Sequence, residues 1–327
     1  MTEGRDIRPP ARQSAGRAGG PAAAGSETRD GEPGHLAGRI PKPRWIRARI
    51  PSGENYEKIR SLLREKRLHT VCVEALCPNL AECWGRGTAT FLILGGVCTR
   101  DCRFCGVRTG AAEPPRPEEA EEVADAVFVM NLKHAVITSV TRDDLPDGGA
   151  SIFARTIRAI HRKSPSCRVE ALVPDFRGNR DCIAAVLDAG PDIFGHNMET
   201  VRRLYPEVRP SADYSRSLFV LRSANELLTG VTVKSGIMTG LGESKEEILD
   251  VMADLLESGC RVLTIGQYLS PSRHHFRVSR YYTPEEFDEL KRIGVKLGFE
   301  WVEAGPLVRS SYHADEQARR VIREAKE

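Results

Sequence analysis

Six of the nine cysteines in this 327-residue chain lie between Val71 and Gly106, as two triplets: Cys72, Cys77 and Cys83, then Cys98, Cys102 and Cys105. Between them runs Thr90-Phe91-Leu92-Ile93-Leu94, closed by Gly95-Gly96, which reads as a buried strand. Soft thiolate ligands grouped this closely point to bound metal before any other use. The second triplet has C-x3-C-x2-C spacing and no nearby fourth ligand. Zinc sites usually pair cysteines two apart and close with four ligands. Three thiolates instead suit a cubane cluster, holding three irons and leaving the fourth open. An open metal position is what a catalytic site keeps and a structural site closes.

That spacing, with Phe104 before the last cysteine and a strand just before the loop, resembles the radical S-adenosylmethionine (SAM) superfamily. The resemblance implies that the open iron chelates the amino and carboxylate groups of SAM. The first triplet, C-x4-C-x5-C, is a moderate signal by itself, because a buried cysteine often behaves as a small hydrophobe. Just upstream of the second, it makes the pair resemble the lipoyl synthase family, whose N-terminal C-x4-C-x5-C holds an auxiliary iron–sulfur cluster. The resemblance runs from about Trp45 to Arg309-Ser310-Ser311-Tyr312-His313.

It implies two [4Fe–4S] clusters. One sits on Cys98, Cys102 and Cys105, the catalytic set that cleaves SAM. The other sits on Cys72, Cys77 and Cys83, with a serine oxygen from the Arg-Ser-Ser-Tyr run as fourth ligand; of the two serines, Ser311 is preferred to Ser310. A hard alkoxide on a thiophilic iron binds less robustly than a thiolate, which suits a cluster that must come apart. Glu170 and Asn197 are the residues expected on the SAM side, with His196 only a neighbour. Gly148-Gly149-Ala150 falls where radical SAM proteins often carry a Gly-Gly-Glu run, but the acid is missing and no role is assigned to it.

The implied activity is lipoyl synthesis. A 5′-deoxyadenosyl radical abstracts hydrogen at C6 and C8 of an octanoyl chain on a carrier lysine, and the auxiliary cluster donates two sulfurs. Implied partners are octanoylated carriers (H protein, acyltransferase subunits of 2-oxoacid dehydrogenases), an electron donor such as ferredoxin or flavodoxin, and an iron–sulfur carrier. Two rivals stand beside this reading. A biotin-synthase-like sulfur-inserting enzyme would share Cys98, Cys102 and Cys105 but not need the first triplet and the serine run together. A non-enzymatic iron–sulfur or zinc module predicts metal binding without SAM cleavage.

Bulk composition narrows the remaining classes. Lysine plus arginine less aspartate plus glutamate is 48 − 45 = +3, which gives no global reason to expect nucleic acid or an anionic membrane. No apolar run approaches the roughly 20 residues of a membrane helix. The other cysteines, Cys167, Cys182 and Cys260, read as core thiols, and unpaired cysteines suggest a reducing, cytoplasmic setting.

Residues 1–40, rich in Gly, Ala, Pro, Arg and Ser, read as a disordered tail. Residues 41–88 form an N-terminal extension whose basic arm around Trp45 could attract an acidic protein. Residues 89–300 form the barrel and 301–327 a C-terminal extension. In the barrel, strand-like runs at 90–94, 135–139, 169–173, 192–195, 231–234 and 262–265 are each followed by a helical pattern. Such alternation implies a parallel sheet with right-handed crossovers. Pattern alone does not separate a doubly wound sheet from an open barrel; the resemblance implies an α/β, TIM-like partial (β/α)6 barrel. In barrels the C-terminal strand ends carry the chemistry. Here they lead into the second triplet and into Thr138–Asp144, Asp175, His196–Thr200, Lys234 and Gln267.

Overall fold

The computed structural model describes residues 40–47, 54–66, 68–74, 77, 79–228 and 230–318. The tail expected over residues 1–40 therefore lies outside the described residues except for Ile40.

One sheet organises the chain, and its strands in spatial order are β1-β2-β5-β6-β7-β8-β9-β10. They are β1 (His69–Thr70), β2 (Thr88–Ile93), β5 (His134–Ser139), β6 (Arg168–Leu172), β7 (Ile193–Gly195), β8 (Thr232–Thr239), β9 (Val262–Gln267) and β10 (Trp301–Gly305). A second, two-stranded ladder pairs β3 (Val97–Cys98) with β4 (Arg108–Thr109). Every pairing from β2 to β10 in the main sheet is parallel, and only the two-residue β1 is antiparallel, on the edge of β2. The order has two ends, so the sheet is an open, partial barrel. Strands β2 and β9 are buried at all six positions, as expected of parallel strands covered on both faces.

The helices include α1 (Glu54–Glu65), α2 (Val71–Glu74), α3 (Leu80–Gly85), α4 (Glu119–Val129), α5 (Ala150–Lys163), α6 (Arg180–Leu187), α7 (Tyr205–Val208), α8 (Tyr214–Leu227), α9 (Lys245–Glu257) and α10 (Pro284–Leu297). Their starts follow from local chemistry. Ser244 and Glu247 form a capping box on α9, and Thr283 and Glu286 form another on α10, which has Pro at its first turn and Gly298 in the left-handed region at its end. Helices α4, α5, α6 and α8 bury apolar stripes, led by Val123, Val127, Phe153, Ile157, Ile183 and Leu221, in the shared core.

One expectation needs correction. Trp301–Gly305, placed in a C-terminal extension, is a seventh parallel strand in register with β9 (Trp301↔Val262 to Gly305↔Gly266). Its pattern is mixed rather than continuously apolar, because it closes the sheet at an edge where four of its five residues are partly exposed. In the first triplet, Cys72 is on α2 and Cys83 on α3. The arm at residues 41–47 docks on the barrel through Trp45, whose Nε1 donates to Tyr282 O at 3.2 Å; Arg49 lies outside the described residues.

Candidate active site

The second triplet is a loop strapped to the barrel mouth. It leaves β2, folds back where Cys98 pairs with Thr109 across β3 and β4, and is pinned by Gly110 N donating to Cys98 O at 3.0 Å. Thr99 N donates to Thr141 O at 3.0 Å, and Thr99 Oγ1 accepts from Asp143 N at 3.1 Å, so the loop rides on the end of β5. Farther along, Arg103 N donates to Val208 O, Phe276 N to Arg103 O and His275 Nε2 to Cys105 O, at 2.8–3.0 Å. The Sγ of Cys98 accepts two backbone N–H bonds, from Thr141 at 3.3 Å and Arg100 at 3.4 Å. Such bonds hold the sulfur in place beside the end of β5.

All three thiols are partly exposed. Burial pushes Cys105 up to about 11, with the charges of Cys102 and Cys98 adding to it. Cys102 also rises through burial, opposed by the Arg209 guanidinium. Each thiol feels its neighbours, so bringing three thiolates together without a metal is unfavourable. A bound multivalent cation reverses that balance.

The first triplet is built differently. Cys77 N donates to Cys72 O at 3.0 Å, at the end of α2, and Cys83 N donates to Asn79 O at 2.9 Å in the first turn of α3. Burial pushes the Cys72 thiol up to about 11, and it raises Cys83 as well, each with help from Cys77. Residues more than 200 positions away then close the site. Asn79 Nδ2 donates to Leu307 O at 2.6 Å, Tyr312 Oη donates to Glu82 at 3.2 Å, His313 Nε2 lies 3.0 Å from the same carboxylate, and Arg86 pairs with Glu316. The Arg309–Tyr312 turn, closed by Tyr312 N donating to Arg309 O at 2.9 Å, therefore lies beside the triplet, and Ser310 and Ser311 are in it.

Gly266 on β9 permits that approach. A Cβ there would stand 2.1 Å from Val308 O, a contact only glycine avoids.

Charged side chains also stand near the end of β7. Glu199 follows β7 with φ +66° and is held by Asn197 Nδ2 at 3.0 Å. Arg209 Nη1 donates to Asn197 O, Met198 O and Tyr205 Oη, each at 3.1 Å. Burial raises Glu199, Cys77, Cys102 and Cys105; the Glu199 charge adds to the rise at Cys102 and Cys105, and the Arg309 charge opposes it at Glu199 and Cys77.

The expected SAM-side residues divide. Asn197 stands in this group, joined to Glu199 and Arg209. Glu170 does not. It is fully buried at mid-strand, both carboxylate oxygens lie 2.9 Å from Lys234 Nζ, and His134 Nε2 is 3.4 Å away. A buried lysine requires such a partner, so Glu170 serves an internal ion pair, with the Lys234 charge holding its carboxyl down against burial. Thr138 and Gln267 bond to backbone: Thr138 Oγ1 donates to Leu172 O, and Gln267 Nε2 to Thr239 O, Tyr268 O and Arg280 O. The polar strand ends therefore do not all serve the mouth.

Among the described residues, no three His, Cys, Asp or Glu side chains converge tightly enough for a single metal ion. A cluster asks for a different arrangement, since each thiolate binds its own iron.

Comparison with known proteins now adds a family. A curated lipoyl synthase of Rubrobacter xylanophilus is 60% identical over 280 residues, covering 86% of this chain and 87% of that one. This chain belongs to the lipoyl synthase family. The lipoyl synthase of Bacillus subtilis is 56% identical over 277 residues, covering 84% and 93% of the two chains. Residues 92–255 match the radical SAM superfamily, and residues 27–77 match the N-terminal domain of lipoyl synthase. Among solved structures, methylornithine synthase is similar in fold, with TM-score 0.52 at 13% identity over 84% of this chain and 88% of that one.

Members of the lipoyl synthase family are radical SAM sulfurtransferases, and the superfamily brings a [4Fe–4S] cluster and SAM with it. The donors on Cys98, Cys102 and Cys105 fit that group: soft ligands, partly exposed, with amides aimed at one sulfur and a cation beside another. Sequence reasoning missed Arg209, Arg309 and Glu199 as members of the site. Their neighbours Asn197 and Ser311 carry the family motifs, and no spacing rule marks an arginine that meets the cysteines only through folding.

Proposed function

We propose that this lipoyl synthase family member inserts two sulfurs, at C6 and C8, into an N6-octanoyl-lysine on a carrier protein, using two [4Fe–4S] clusters. When bound, one cluster with SAM supplies a radical able to remove hydrogen from an unactivated carbon, which no side chain can do, and the other supplies the sulfur. Cys98, Cys102 and Cys105 hold the first; Cys72, Cys77 and Cys83, with Ser311, hold the second. The chain's own residues then do three things. The amides of Arg100 and Thr141 fix the Cys98 sulfur. Arg209 eases the Cys102 thiolate and holds the Asn197 turn, placing that side chain for SAM. Ser311 offers the first triplet an oxygen, a poorer partner for iron than sulfur and so easier to give up.

The observation that carries this reading is that both triplets are tied to the strand-end face of the barrel: the second to Thr141, Val208 and the loop after β9, and the first, through Asn79 and Glu82, to the Leu307–Tyr312 turn that packs on Gly266 of β9. Chemistry that passes an acyl chain between two metal groups needs both at one mouth. The carrier is an octanoylated H protein or acyltransferase domain, and electrons come from a ferredoxin- or flavodoxin-like protein. An iron–sulfur carrier would resupply the first triplet. The nine free cysteines suit a reducing cytoplasm, and among the described residues no helix is long and apolar enough to cross a membrane.

The test is anaerobic: reconstituted protein, SAM, dithionite and octanoylated H protein, with the carrier's intact mass and 5′-deoxyadenosine followed together. The carrier should gain the mass of two sulfurs. Deoxyadenosine without sulfur gain, with both clusters present, would overturn the substrate assignment.

A further inference from the structure

Arg100 lies inside the second triplet, two residues after Cys98 and two before Cys102, yet its side chain is only 5% exposed. Its guanidinium makes two forks. Nε donates to Asp143 Oδ2 at 2.6 Å and Nη2 to Asp143 Oδ1 at 2.8 Å; Nη1 donates to Asp175 Oδ2 at 2.9 Å and Nη2 to Asp175 Oδ1 at 2.8 Å. Asp143 lies beyond the end of β5 and Asp175 beyond the end of β6, where it also caps a short turn by accepting from Arg177 N at 3.0 Å. Two further arginines add charge: Arg216 Nε is 3.1 Å from Asp175 and Arg177 Nε 3.2 Å from Asp143.

Burying three charges on one guanidinium costs desolvation, and apolar residues of similar volume often stabilise a core as well or better. What an ion pair adds that packing does not is direction, and the planar arginine fork gives two directions at once. Here they lead from the metal-binding loop to two adjacent strand ends. We propose that Arg100, forked onto Asp143 and Asp175, is a positioning residue: it sets where the second triplet stands relative to the mouth, and so where bound SAM meets the metal. This rests on the function proposed above. Its readouts of loop order and spectrum do not require sulfur insertion, so its failure is separable from the failure of that reading.

The test compares Arg100→Lys, Arg100→Gln and Asp175→Asn with the parent as reconstituted enzyme. Three quantities are read: amide hydrogen exchange across residues 97–106, the electron paramagnetic resonance spectrum of the reduced protein with and without SAM, and 5′-deoxyadenosine formation. All three variants should keep their iron content and far-ultraviolet circular dichroism. Exchange should rise at least about tenfold in residues 97–106 and not in β8 or α10. The single SAM-dependent spectrum should become a mixture. Deoxyadenosine formation should fall on the order of 100-fold, as for a misplacement of about 1 Å. Lysine, which keeps the charge but not the fork, should not rescue. A parent-like Arg100→Lys protein would overturn the proposal in favour of simple charge balance. Exchange rising equally throughout the chain would overturn it in favour of general stability.

Discussion

The two cysteine triplets are near neighbours in sequence and opposites in construction. The second hangs from the barrel: its partners are Thr141 at the end of β5, Val208 on α7 and the loop after β9. The first is closed by the chain's far end, through Asn79–Leu307, Glu82–Tyr312 and Arg86–Glu316. Contacts to a rigid sheet keep a group in place through many turnovers. Contacts to a single C-terminal segment hold a group that can be released and rebuilt by local opening. That difference in anchoring fits the proposed function, in which one cluster is kept and the other consumed.

The largest expected effects separate the triplets outright. Cys98→Ala should abolish deoxyadenosine formation, a loss larger than the roughly 10–100-fold typical of partners beyond the ligands themselves. Cys72→Ala should abolish sulfur gain by the carrier while leaving SAM cleavage in place. If both variants lose SAM cleavage equally, the sites are not independent and the comparison breaks.

Gly266→Ala comes next. Its Cβ would clash with Val308 O, which must move, at a cost of about 1–3 kcal/mol. The displaced turn should lower iron bound at the first triplet and spare the second, as read by iron analysis and deoxyadenosine release. Glu82→Gln is milder: it leaves the Tyr312 and His313 contacts in weaker form, a loss of about 1 kcal/mol seen as faster iron release to a chelator from the first triplet alone.

Acid probes the barrel behind the second triplet. Burial holds the His196 imidazole down to about 4, and the Arg209 charge adds to this. The unfolded chain therefore binds the extra proton first, and stability should fall as pH drops from about 6.5 towards 4, by up to about 3 kcal/mol. Urea unfolding at several pH values measures it, and His196→Asn should flatten that part of the curve.

Much of this was legible in the sequence. Capping boxes at Ser244 and Thr283 placed α9 and α10, and the apolar runs placed β2, β5, β6 and β9. The cysteine spacing, with the family resemblance, singled out both triplets as the cluster ligands proposed here. What the sequence hid depends on distance along the chain. Strand β10 has a mixed pattern because it is an edge. Glu170 looked like a mouth residue because a mid-strand carboxylate gives no sign of the lysine it will meet on β8. Arg100 and Arg209 look like ordinary surface arginines until folding buries them, Arg100 between two carboxylates.

The most direct test of the central claim is iron and sulfide per chain, with Mössbauer spectra, for three reconstituted proteins: the parent, the Cys72/Cys77/Cys83→Ala triple variant and the Cys98/Cys102/Cys105→Ala triple variant. Two independent clusters predict that each triple variant keeps half of the parent's iron, about four atoms of about eight, as a [4Fe–4S] species. A triple variant that keeps all of the parent's iron, or one whose loss empties both triplets, would contradict the account.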